Sequence, residues 1–335
     1  MNAPTELPSL PTIADVEDAA RQLRGIAVRT PVLENPLLNE KLGGRLLLKA
    51  EPLQLAGSFK FRGAYNRISR LSAAERQRGV VAYSSGNHAQ GTAYAAKICG
   101  TPAVIVMPAD APEIKIANTR AYGAEVVLYD RYKEDREEIG KRYARDRGMT
   151  VVPPFNDPYI ISGQGTIGLE IAVQCAERDG KPDVVVAPAS GGGLIAGVSL
   201  AIKDRHPDCA VYCAEPDKFD DISRSLAAGK ICSHDGSGKT FCDALMAPHP
   251  GDITYGVMST NLAGGVTATD DEVEIAIATA FHYFKLVVEP GGAVALASIL
   301  NGKIPCAKRT VVAVASGGNI DSTLFSEIIG RTKPV

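Results

Sequence analysis

A lysine set between two phenylalanines is the first feature of this chain that could do chemistry. In GSFKFRGAYN, Gly57 to Asn66, Lys60 follows Phe59 and precedes Phe61. An amine acts as nucleophile or base only when neutral, and apolar rings that strip it of water lower its pKa. Lys60 is therefore either a surface cation in a loop-like stretch or an activated amine. Four further stretches could complete a site. SSGNHAQG, Ser84 to Gly91, puts small turn residues between an apolar run and a helical one. A helix starting there offers unpaired N–H groups and the positive end of a dipole, which suits a carboxylate; the bland reading is a plain turn. ASGGGLIAG, Ala189 to Gly197, opens a helix with three glycines, whose N–H groups can converge on a phosphate. ASGGNID, Ala315 to Asp321, reads as a turn. EPGGAVA, Glu289 to Ala295, sets a carboxylate and two glycines at a helix start, which helix capping alone could explain.

The elements that must position these loops follow one pattern. Apolar runs (GRLLLKA, VVAYSS, PAVIVMP, EVVLYD, TVVPPF, DVVVAPAS, AVYCAEP, TVVAVAS) read as strands, with helical runs between most of them. Short, continuously apolar strands separated by helices mean an α/β fold with mostly parallel sheets covered on both faces. Ligands of such sheets bind at the carboxyl ends of the strands, where these loops fall. The paired prolines of VVPPFNDP mark a crossing between two lobes, because proline cannot continue a central strand. The segment from Ile231 to Thr254 reads as an irregular excursion. Gly191, Gly193 and Ala196 also satisfy a dinucleotide fingerprint, with Glu215 ending the next strand. That alternative, a nicotinamide-linked oxidoreductase, leaves Lys60 and the Ser84 loop unexplained.

Composition narrows the classes. Of 335 residues, 45% are hydrophobic and the net charge is -2, so nothing electrostatic favours nucleic acid or an acidic membrane. No apolar run is long enough to span a bilayer, and the N-terminus lacks a signal-peptide pattern. The seven cysteines form no CxxC pair, which argues against a thiolate metal site and for free thiols in the cytoplasm.

Taken in order, GSFKFRGA, SSGNHAQG, SGGGL, EPGGA and SGGN resemble the fold type II pyridoxal-phosphate enzymes. Within them the chain is similar to the threonine/serine dehydratase and serine racemase group, from about Ile26 to Ile329. The resemblance implies a tryptophan synthase β-like architecture of two open, mostly parallel twisted sheets flanked by helices. Residues 1–53 and 153–335 would form a large cofactor-binding domain, and 54–152 a small one carrying the asparagine loop. Lys60 would bind the aldehyde of pyridoxal 5'-phosphate and serve as general base. Phe59 would lie against the cofactor ring, and Phe61 would exclude water. Asn87 would bond the ring hydroxyl, and Glu289 would line the cofactor site. Ser190, Gly191, Gly192, Gly193 and Leu194 would hold the phosphate, with the Ser190 hydroxyl as an added contact. Ser316 would face the ring nitrogen; a hydroxyl there supports elimination or racemisation over transamination. Ser84, Ser85, Asn87 and His88 would hold the substrate carboxylate. Ser85 is read either as carboxylate binding alone or as the acid/base of the opposite face, as in racemases.

AEPDKFDD, Ala214 to Asp221, is similar to the cation loop of the serine racemase group. Glu215 and Asp221 carboxylates with the Phe219 carbonyl would hold Mg²⁺, or Ca²⁺ or Mn²⁺; the alternative is a solvated acidic turn. The resemblance also implies a small amino-acid substrate and a homodimer. The chain departs from the group at TFCDALMAPHPGDITYG, a region relatives use near the substrate side chain. That departure points past threonine and serine, to 3-hydroxyaspartate among others. Arg136 lies where relatives place an arginine near a second carboxylate, although it also reads as one charge of a solvated helix. His249 reads as a loop residue. No further regulatory domain is expected after Val335.

Overall fold

The computed structural model describes residues 9–84, 86–111, 113–130, 132–235 and 237–335. Two sheets organise them. The larger contains β1 (Val32–Glu34), β2 (Arg45–Ala50), β7 (Val184–Pro188), β8 (Ala210–Pro216), β9 (Gly264–Ala268) and β10 (Thr310–Ala315), in the order β1-β2-β10-β7-β8-β9. The smaller contains β3 (Val80–Tyr83), β4 (Ala103–Pro108), β5 (Glu125–Tyr129) and β6 (Thr150–Val151), in the order β5-β4-β3-β6. Only the β1–β2 pair is antiparallel among these ladders. The mostly parallel α/β architecture expected from the apolar runs is present.

The period of two in the strands feeds two cores. Leu46, Leu48, Val184, Val186, Val311 and Ala313 face one side of the large sheet, against the helices Asp270–Thr279 and Pro290–Leu300. Leu47, Val185, Val211, Val312 and Val314 face the other, against the helices Pro158–Ala176 and Gly193–Arg205. Those two helices meet almost backbone to backbone. A Cβ on Gly197 would stand 2.2 Å from the carbonyl oxygen of Ile161 and 2.6 Å from the amide nitrogen of Gly165.

Several local readings differ from the structure. Lys60 is not in a loop: the helix Lys60–Ile68 begins at the lysine itself, with Phe59 as its N-cap. TVVPPF is strand only over Thr150–Val151, because Pro153 and Pro154 have no N–H to donate to a ladder. The helix Asp252–Asn261 begins inside the segment expected to be irregular, strand β9 follows it, and neither has a strong apolar period. Within the excursion the chain forms a short 3₁₀ turn, Asp243–Leu245.

A buried ionic cluster fixes the Lys60 helix. Arg62, fully buried, bonds Glu51 through Nε and Nη2 and Glu170 through Nη1 and Nη2. Lys49, also fully buried, donates to Glu170, Gln174 and the carbonyl of Thr30. Two cations and two carboxylates thus neutralise one another, with polar partners satisfying the remaining sites. Phe61 points away from the site. It lies in the core beside the small sheet, with Tyr65 and Tyr94 rings at 5.8 Å, and so anchors the helix instead of drying the amine.

Candidate active site

Adjacent strands deliver the site. β2, β10 and β7 are neighbours in the large sheet, and their carboxyl ends lead to Lys60, Ser316 and the glycine loop. β3 and β6 are neighbours in the small sheet; their ends lead to the asparagine loop and to Pro154. Between them lies a cleft of about 310 Å³ lined by Phe59, Lys60, Ser84, Asn87, His88 and Arg136 on one side of the chemistry. Ser190, Gly191, Gly192, Gly193, Leu194, Glu289 and Ser316 line it too, with Lys115 and Asp243. A second cavity, about 420 Å³, sits at the opposite end of β7 and β8 between Lys181, Asp183, Arg205 and His206. It has no convergent glycine loop and touches none of the residues above.

Lys60 Nζ donates to the carbonyl oxygen of Pro154 at 2.8 Å and lies 5.1 Å from the centroid of the Phe59 ring. Loss of hydration lowers the amine to about 8, against the opposing pull of the Glu289 carboxylate. A substantial neutral fraction therefore exists just above neutrality. Burial raises Glu289 to about 7, helped by the charge of Asp243 and opposed by Lys115, by the Asn87 hydrogen bond and by Lys60. Asn87 stands between two partners: its Nδ2 donates to Glu289, and its Oδ1 accepts from Asn319 Nδ2 at 2.7 Å.

His88 is buried, and desolvation with the nearby Lys60 charge drops it to about 3. It is neutral, and its Nε2–H donates to the Val152 carbonyl at 2.8 Å. Nδ1 is left an acceptor, so what His88 offers a carboxylate is its backbone N–H at the start of the helix Asn87–Ile98. The Ser84 hydroxyl accepts from Gly86 N, which shapes the entry to that helix. Ser85 lies outside the described residues.

The glycine loop is closed to larger residues. A Cβ on Gly191 would fall 2.2 Å from the Phe155 ring, and Gly192 has φ +90°. The first amide bonded within the following helix is that of Ala196, to Gly192 O, so the amides before it are available to an anion. A phosphate group fits this cradle. The Ser190 hydroxyl is already engaged, accepting from Ala247 N at 2.9 Å. Ser316 lines the cleft, and its backbone carbonyl receives Phe59 N at 3.1 Å.

The matching family model is that of pyridoxal-phosphate-dependent enzymes, over residues 23–317. The chain belongs to this family. Among pyridoxal-phosphate-dependent enzymes, it is 41% identical to the L-threo-3-hydroxyaspartate ammonia-lyase of Pseudomonas sp, over 94% of this chain and 97% of that protein. It is 37% identical to the serine racemase of Schizosaccharomyces pombe, over 96% and 98%. The solved serine racemase of maize superposes with a TM-score of 0.89 at 36% identity, covering 96% of this chain and 98% of that one. The nicotinamide alternative for the glycine loop falls with this assignment.

At the expected cation loop, Glu215 accepts from Ile222 N, Ser223 N and Ser223 Oγ, at 2.6–2.9 Å. Both oxygens of the buried Asp221 carboxylate lack a hydrogen-bond partner. Burial raises Glu215 to about 8 and Asp221 to about 6. Phe219 is buried beside them. Among the described residues no group of three His, Cys, Asp or Glu side chains is placed to hold a metal, so a cation here would rely on a backbone carbonyl and water.

Several cleft residues carry no sequence signal of their own. Pro154 acts through a backbone oxygen, and Lys115 and Asp243 pair across 128 positions of chain. Asn319 lay within a motif already singled out, as the last letter of SGGN.

Proposed function

We propose that this pyridoxal-phosphate-dependent enzyme dehydrates a β-hydroxy amino acid bearing a second carboxylate, 3-hydroxyaspartate, to the corresponding 2-oxo dicarboxylate and ammonia. The observation that carries the substrate class is the charge of the cleft wall. Arg136 lines it with its guanidinium 5.8 Å from the Tyr83 ring centroid, and among the described residues no carboxylate pairs with it. Lys115 lines the same cleft. One anion site at the Asn87 helix start and further cations lining the same cleft suit a dicarboxylate.

When bound, the cofactor supplies an electron sink that acidifies the substrate Cα–H. The chain's own groups do the rest. The Asn87 helix start and the Ser84 loop bind the α-carboxylate. Lys60, partly neutral near pH 8, takes the Cα proton. Departure of the β-hydroxyl as water leaves an enamine, whose imine tautomer hydrolyses to ammonia and the 2-oxo acid. The glycine loop would seat the cofactor phosphate, with Phe59, Asn87, Glu289 and Ser316 around its ring.

The test is a 2-oxo acid assay over L-threo-3-hydroxyaspartate, threonine and serine, with Arg136→Gln beside the wild type. Loss of kcat/KM of roughly 30- to 1000-fold for the dicarboxylate, and little for serine, is the expected result. Faster turnover of threonine by the wild type would sink the substrate assignment. The likeness to serine racemases supports a second reading, racemisation, in which Ser85 would work the opposite face. D-isomer formation exceeding 2-oxo acid release would favour it.

We also read Glu215, Asp221 and the Phe219 carbonyl as a divalent-cation site, Mg²⁺ by its all-oxygen donors. The orphaned Asp221 carboxylate supports this, since a buried unpaired anion is costly. Residues 54–152 are taken as a small domain and 1–53 with 153–335 as the large one. A homodimer is also part of this proposal, and it fails if light scattering returns the monomer mass. The seven free thiols favour the cytoplasm; a fluorescent fusion found outside it would oppose that reading.

A further inference from the structure

Lys115 and Asp243 meet across the cleft. Lys115 sits on the helix Glu113–Ala121 beside the small sheet, and Asp243 opens the 3₁₀ turn Asp243–Leu245 on the large-sheet side. Nζ and Oδ2 are 2.5 Å apart. Among the described residues this is the one ion pair joining residues 80–151 to those beyond β7. Both partners line the cleft that holds Lys60.

The two partners differ in their alternatives. The Lys115 side chain is 10% exposed and the Asp243 side chain 49%. Asp243 can turn into water at little cost. Lys115 cannot, so if Asp243 leaves, another anion must replace it. The replacement has a place to come from. The Lys115 ammonium lies 3.8 Å from the point where a Cβ on Gly86 would stand, beside the asparagine loop. A substrate with one carboxylate commits it to the Asn87 helix start; a dicarboxylate has a second to offer.

We propose that Asp243 is a specificity-determining residue whose carboxylate clasps Lys115 until the distal carboxylate of a dicarboxylic substrate takes its place. The clasp keeps a buried cation neutralised in the empty cleft and makes opening it unfavourable for a monocarboxylic ligand. This inference rests on the dicarboxylate reading of the same site.

The experiment is a double-mutant cycle on the holoenzyme, read as binding of malonate, an unreactive dianion, with acetate as control. Asp243→Asn removes the competitor and should tighten malonate roughly tenfold, while Lys115→Met weakens it. In Lys115→Met/Asp243→Asn the gain from Asp243→Asn should vanish. A gain of equal size with or without Lys115 would mean a general field effect and overturn the clasp. No gain from Asp243→Asn would overturn it too. Asp243→Glu should restore wild-type malonate binding if the pair is the cause. Failure of the substrate reading shows separately, as absent turnover of 3-hydroxyaspartate in the 2-oxo acid assay.

Discussion

Arg62 grips Glu51 at two points, Nε to Oε2 and Nη2 to Oε1, each 2.9 Å long. The same guanidinium reaches Glu170, so one planar fork ties the segment after β2, the Lys60 helix and the helix Pro158–Ala176 together. Lys60 stands two residues away, and its direction depends on that joint.

Removing the fork leaves Glu51 buried and short of its cation. Arg62→Met should lower the unfolding free energy by about 3–5 kcal/mol. Arg62→Lys keeps the charge but loses the bidentate geometry and should fall between. Denaturant unfolding of the three proteins gives the comparison. A loss below about 1 kcal/mol in Arg62→Met would mean the cluster is not structural.

The depressed amine of Lys60 has a thermodynamic signature in the cofactor-free protein. Its folded pKa, about 8, lies below the ordinary 10.5. Between those values the unfolded chain holds the extra proton, so stability through this group rises with pH. Below pH 8 the fold bears the full cost of a buried ammonium. Lys60→Met should therefore be more stable than wild type at pH 7, by roughly 1–3 kcal/mol, with the gap closing toward pH 10. A gap that does not change with pH would contradict the assignment.

Gly191→Ala drives a methyl into the Phe155 ring. Overpacking of this kind costs about 1–3 kcal/mol, and here the displaced backbone is the anion cradle. Affinity for pyridoxal phosphate, read by titration of its visible absorption, should fall along with stability. Unchanged affinity would show that the loop does not hold the phosphate.

Asp221→Asn addresses the cation. With Mg²⁺ at 100 times its Kd, bound metal would add about 2.7 kcal/mol to the wild type. The Tm of the wild type should rise with Mg²⁺ while that of Asp221→Asn stays flat. A parallel rise in both would place the metal elsewhere.

The legible parts of this molecule were those written locally. Gly191, Gly192 and Gly193 announce a backbone task because the residue type itself is the requirement. Val311 to Ala315 announce a covered parallel strand because every position is apolar. What stayed hidden was set by distance along the chain. The acceptor of Lys60 is a carbonyl, and any residue type supplies one. Lys115 and Asp243 are ordinary charges until folding brings them together. Phe61 was read beside Lys60 because the two are adjacent, yet one helical step turns neighbours about 100° apart and sends the ring into the core.

The ring of Phe155 occupies the volume that a side chain at position 191 would need. Two positions on different segments thus behave as one steric unit. A larger residue at 191 is admissible only with a smaller one at 155, and neither substitution is acceptable first without loss. Any lineage that changes the glycine loop must pass through the aromatic position, so the two are expected to be inherited together.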